Sequence, residues 1–139
     1  MIRSGRASLV VTSAETEPET ISQLLAIEPD QVRRKGTALR AGRIRDHHMW
    51  SIGVGTLANT DRDQTGTRAL RELMEKIHPA TGRIPSLPAD CDVRIWWFVD
   101  SDSGQGGFVL AADVAAQIAE LGVDVYGTVY LDDNLAEPS

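Results

Sequence analysis

The chain has one cysteine, two lysines and no apolar segment near the length of a membrane span. Cys91 has no second thiol to pair with, so no intrachain disulfide can form. It opens an apolar run, which reads as an inert buried thiol rather than a nucleophile. The apolar stretch within the opening residues MIRSGRASLVVTSAE is too short for a signal peptide, and no segment reaches the roughly eighteen apolar residues of a spanning helix. A cytoplasmic protein with no membrane association is the expectation. There is no Ser-His-Asp order, no paired zinc-ligand motif and no glycine-rich phosphate loop. Gly53-Val54-Gly55 and the glycines 104, 106 and 107 fit no nucleotide fingerprint between a strand and a helix. These absences leave no cofactor and no metal to expect, and they turn the reading away from an enzyme.

The 139 residues suit one domain, 1–139, with a core over about 7–131 and a frayed tail at 132–139. Hydrophobic residues at 42% and charged residues at 24% are those of a folded chain rather than a disordered one. Ala7 to Ser13 alternates as a strand. Thr16 and Glu19 then form a capping-box pair before a helix with Ile21, Leu24 and Leu25 on one face, ended by Pro29. His48 to Val54 alternates as a second strand, and Ala58 to Gly66 reads as a loop. Thr67 to His78 is the clearest helix: Leu70, Leu73, Met74 and Ile77 make its apolar stripe. Arg68–Glu72, Arg71–Glu75 and Glu72–Lys76 pair on its wet side. Val93 to Val99 reads as a central strand buried on both faces. Asp100 to Gly107 reads as a turn and Phe108 to Leu110 as a short returning strand. A helix over about Ala111 to Leu121, capped by Gly122, precedes a last strand from Val123 to Leu131. A strand-and-helix unit recurs in the two halves. The expected fold is therefore α+β, with two βαβ-like halves forming one mixed or antiparallel sheet, ferredoxin-like with an added helix.

Several short segments, in this order and spacing, resemble the bacterial domain of unknown function 4279 family. They are Pro18-Glu19-Thr20-Ile21 leading to Leu24-Leu25-Ala26-Ile27-Glu28-Pro29, then Arg34-Lys35-Gly36-Thr37, Trp50-Ser51-Ile52, and Leu121-Gly122-Val123-Asp124-Val125 running to Tyr130. The resemblance covers about Ala7 to Leu131. Thr37 and Val129 stand where the family usually has acidic residues. The resemblance implies a fold and no catalytic residues.

Charge and aromatics supply the candidate contact residues. The net charge is -6, yet Arg33, Arg34, Lys35, Arg40, Arg43 and Arg45 fall within thirteen positions with no acid among them. A positive loop on an acidic body attracts anions that the whole molecule repels. Arginine adds planar bidentate contacts to carboxylate or phosphate. The bland alternative is a solvated loop whose arginines pair with the acidic body. Asp46-His47-His48 makes no metal site, because adjacent histidines on a strand face opposite ways. Asp100-Ser101-Asp102-Ser103-Gly104 lacks the downstream lysine of a phosphatase, and a calcium loop fails because Gln105 stands where its Gly belongs and Ala111 where its Glu belongs.

The aromatics gather on strands. Alternation puts Trp96 and Phe98 opposite Trp97, and places Tyr126 and Tyr130 on a shared face. A stripe of these four serves stacking of single-stranded nucleic acid, or a homodimer or partner interface. Alternatively it is core beneath the Thr67–His78 helix, the reading favoured here. The acidic net charge disfavours nucleic acid. The expected function is a protein-binding module contacting an unknown partner through the basic loop and Trp50. The first rival is an anion or nucleic-acid binder through Arg33–Arg45, and the second an enzyme of unrecognised type.

Overall fold

Alternating burial along one strand organises the molecule. In the computed structural model, which describes residues 2–58, 66–102 and 107–131, strand β1 (Ile2–Ser13) buries Ala7, Leu9, Val11 and Ser13. It turns Ser8, Val10 and Thr12 the other way. Around it lie β2 (Gln31–Arg33), β3 (His48–Ala58), β4 (Cys91–Ser101) and β5 (Val125–Leu131), in the order β2-β3-β1-β4-β5. β1 is antiparallel to both β3 and β4, β2 is antiparallel to β3, and β4 and β5 run parallel. β1 and β2 are thus parallel with β3 between them, a split βαβ unit joined by helix α1 (Pro18–Leu25). Helix α2 (Thr67–Ile77) joins β3 to β4, and helix α3 (Ala112–Leu121) closes an adjacent βαβ unit between β4 and β5. The fold is α+β with a mixed sheet.

The three helices share one side. Ile21 and Leu25 of α1, Leu70 and Leu73 of α2, and Val114 and Leu121 of α3 join one core cluster with Leu9, Val11, Ile52, Ile95, Trp97 and Val99 of the strands. Burial of such side chains stabilises by about 1.5–3 kcal/mol each. Among the described residues no helix packs on the opposite face. β4 is therefore covered on one face and not on both, and its apolar sequence reflects a bare face that is itself aromatic.

Local departures from the sequence pattern have identifiable causes. β1 begins five residues earlier than its alternation suggests, because the register slips between Ile2 and Ser4 and breaks the period of two. No side chain caps α1: the Thr16 hydroxyl donates instead to Asp90 Oδ1 at 2.7 Å. The helix ends at Ala26, in left-handed conformation at φ 61°, before Pro29 is reached. On α2, Arg68 does meet Glu72 at 3.5 Å, whereas Arg71 reaches Asp113 of α3 and Lys76 Nζ reaches Asp30 at 3.1 Å. Phe108 to Leu110 forms no strand. Asp100 and Ser101, expected to begin a turn, are the last residues of β4; residues 103–106 of that turn, 59–65 of the expected loop and the tail at 132–139 lie outside the described residues.

Candidate functional surfaces

The basic segment is an ordered tongue. Between β2 and β3 the backbone folds back on itself: Gly36 N donates to Arg45 O (2.8 Å), Arg45 N to Thr37 O (2.9 Å) and Leu39 N to Arg43 O (2.7 Å). A bridge pairs Ala38 with Ile44. The tip turns through left-handed Ala41 and Gly42, at φ 60° and 72°. Glycine adopts that conformation without a steric cost, and alanine does not.

The basic residues divide by role. At the root, Arg34 grips Glu19 with both guanidinium arms and lies 3.5 Å from Glu17, while Lys35 Nζ reaches Glu15 (2.9 Å) and Ala14 O (3.1 Å). The Arg34 hydrogen bonds hold the Glu19 carboxyl below its usual range. The Lys35 amide donates to Nδ1 of buried His48 at 3.1 Å, and exposed His47 lies 2.9 Å from Asp46. Only His48 belongs to β3; His47 lies in the bend before it, so the expectation that both sit on a strand does not hold for His47. Arg33, Arg40 and Arg43 have no ion-pair partner among the described residues. Half-buried Arg45 has an Nε that meets no hydrogen-bond acceptor there. Beside the tip arginines, Leu39 is 41% and Ile44 67% exposed. Sequence reasoning singled out the cations and missed these two aliphatics, whose signal was an apolar residue inside a charged run.

Trp50 is not part of that surface. It is fully buried, and its Nε1 donates to Ser22 Oγ of α1 at 3.0 Å. Its place on β3 aims it at the helices, so it supports the tongue's base from within.

The aromatic stripe lies on the bare face. The expectation that α2 covers it is overturned, because α2 sits over Trp97, whose Nε1 donates to Gly66 O at 3.0 Å. Trp96 and Phe98 stand parallel with centroids 6.2 Å apart; Tyr126 approaches Trp96 at 5.2 Å and Tyr130 approaches Phe98 at 5.9 Å. Arg6 lies over Phe98 at 4.9 Å and near Tyr130 at 5.8 Å, and Arg94 lies over Tyr126 at 4.7 Å. Such stacking fixes the guanidinium while leaving its in-plane donors free to meet a carboxylate or phosphate. Arg94 already meets Asp92 at 2.7 Å, whereas Arg6 has no ion-pair partner among the described residues.

Beside the rings the sheet is hollow, because its central strands carry small side chains there. One groove of about 420 Å³ runs over Ser8, Val10, Ser51 and Gly53 between Phe98 and Met49. A second, of about 260 Å³, lies between Thr12 and Trp96. Arg33, paired opposite Met49, overlooks the same face from β2, so the tongue and the bare face are continuous.

The titratable groups on these surfaces do not converge as an acid–base or nucleophilic set would. Asp30 is held below its usual range by the Gly53 amide and Lys76, and burial pushes the Cys91 thiol up. Asp100 accepts from Ser4 Oγ at 3.0 Å. Among the described residues no three His, Cys, Asp or Glu side chains gather as metal ligands, and no helix is long and apolar enough to cross a membrane.

A family model described as "Domain of unknown function (DUF4279)" matches residues 3–132, nearly the whole chain, and the chain belongs to that family. No curated protein and no solved structure matches it.

Proposed function

We propose that this family member is a protein-binding module, a single cytoplasmic domain of residues 1–139, that holds an acidic partner against its tongue and bare sheet face. The split βαβ order supports reading its first four strands as ferredoxin-like, with α3 and β5 added. One observation carries the functional reading. The tongue is ordered by its own hydrogen bonds, yet it presents Arg40 and Arg43, without ion-pair partners among the described residues, next to exposed Leu39 and Ile44. A solvated connector needs no exposed aliphatic pair, and a phosphate-binding loop gains nothing from one. A protein surface with carboxylates around an apolar patch matches both features.

A second reading, single-stranded nucleic acid on the aromatic face, has the four rings in its favour. Against it, guanidinium groups already cover Phe98 and Tyr126, which a base would need to stack on. The net charge of -6 also opposes a polyanion.

Affinity capture from a bacterial lysate tests the two, using wild type and an Arg33/Arg40/Arg43→Glu variant as bait, with and without nuclease. The expected result is a protein retained by wild type despite nuclease and lost by the variant. Nuclease-sensitive capture selects the second reading. Identical proteins on both baits, or none on either, reject the tongue as a contact surface.

A further inference from the structure

The two edges of the sheet are unlike. At one edge β2 is three residues long and ends in Arg33. Beyond it the exposed edge of β3 is occupied at Gly53, whose N–H donates to Asp30 and whose carbonyl accepts from Lys76. At the other edge β5 runs seven residues, Val-Tyr-Gly-Thr-Val-Tyr-Leu, with no charge and no proline, and among the described residues it pairs with β4 alone. Charges, prolines and short length are the usual protections of an edge strand, and β5 has none of them.

Exposed apolar surface gathers at the same end. Of the nine large hydrophobic side chains exposed among the described residues, two are on the tongue. The other seven are Tyr126, Val129, Tyr130 and Leu131 of β5 and Phe108, Val109 and Leu110 beside it, each between 38% and 52% exposed. An apolar hollow of about 510 Å³, lined by Leu110, Ile118 and Val125, adjoins them.

We propose that this chain forms a homodimer in which β5 pairs antiparallel with β5 of a second copy, centred on Thr128, to make one ten-stranded sheet. Strand β5 is complementary to itself in that register. Tyr126 falls opposite Tyr130 of the other copy on the bare face, Val125 falls opposite Leu131 on the helix side, and Thr128 meets its own counterpart. Aromatic, aliphatic and Thr–Thr cross-strand pairs are all stabilising, and within β5 no like charges are opposed.

The number of copies follows from the edges. Pairing like with like consumes the β5 edge of both copies, so the assembly closes at two. The seven side chains expose on the order of 600 Å² per copy, about the half-interface of the smallest specific complexes and the upper limit of the side-chain area this dimer can remove. The dimer also sets two bare faces side by side on one surface. It rests on β5 alone and stands whether or not the tongue binds a protein.

Sedimentation velocity between about 1 and 100 µM tests it. Wild type should sediment at twice the 15.1 kDa chain mass, and Val129→Lys/Leu131→Lys should be monomeric with unchanged circular dichroism. The Arg33/Arg40/Arg43→Glu variant should remain dimeric. A wild type that is monomeric at 100 µM, or a folded lysine variant that is still dimeric, overturns the proposal. Should the lysine variant fail to fold, Thr128→Cys in a Cys91→Ser background decides. Oxidation should trap a covalent dimer, and its absence overturns the centred register.

Discussion

Trp96 and Trp97 are neighbours on β4 and occupy opposite environments. Trp97 is 5% exposed, hydrogen-bonded through its indole to Gly66 O and enclosed by the α2 side of the core. Trp96 lies on the uncovered face, in contact with Phe98 and Tyr126. The same contrast holds between Leu9 and Val10 on β1, and between Trp50 and Met49 on β3. One face is shaped by helix packing. The other carries rings and arginines that no element of the described chain covers, and that difference separates residues that make the fold from residues free to bind.

Substituting each tryptophan in turn is the hardest test of this contrast. Trp97→Ala should cost about 3–5 kcal/mol, as large-to-small aromatic changes in a core do. Trp96→Ala should cost about 1 kcal/mol, the worth of a surface aromatic contact. Denaturant melts read both, and equal losses would mean that the two faces are not energetically distinct.

A smaller effect probes how tightly the helix-bearing face is closed. Gly66 precedes α2 at φ 76°, and a Cβ there would stand 2.6 Å from Val99 Cγ1 and 3.2 Å from Ile2 Cγ2. Gly66→Ala should therefore destabilise by about 1–3 kcal/mol, from left-handed strain and overpacking together. Gly55 on β3 has open space around it, and its substitution by alanine should cost far less. A Gly66→Ala melt matching wild type would show that the covered face has slack.

Asp90 sharpens the comparison from the rim. Its carboxylate accepts from the Thr16 hydroxyl and from the Thr16 and Glu15 amides, which lower its pKa to about 2 and tie the start of β4 to the start of α1. A folded pKa below the unfolded one stabilises above the unfolded value, and this stabilisation is lost as pH falls through the folded one. Wild type should melt above Asp90→Asn at pH 6, and the gap should narrow between about pH 4 and 2. A gap independent of pH would show that the clamp does not depend on charge.

Periodicity made much of this legible. The α2 stripe, the alternation of β3 and the opposition of Trp96 to Trp97 all follow from side-chain direction, which is a local property. Which face α2 would choose was not legible, because Trp96–Phe98 and Ile95–Trp97–Val99 are both apolar and only the tertiary arrangement decides between them. β2 escaped notice because three residues show no period. The tongue's cations were plain in the sequence. Their division into root and tip was not, since it depends on Glu15 and Glu19 lying across the turn from Lys35 and Arg34.

The smallest expected effect is at the arginines of β2 and of the tongue's tip. Arg33, Arg40 and Arg43 are exposed and make no ion pair with any described residue, so reversing each to Glu should move stability by no more than about 0.5 kcal/mol. Arg34→Glu should cost more than these changes together, because it places a third negative charge against Glu17 and Glu19. Thermal melts of the two variants separate a surface presented outward from a root that holds the loop in place. A triple variant that loses its transition would make the tongue part of the fold, and the Arg40 and Arg43 guanidinium groups would then no longer count as held for a partner.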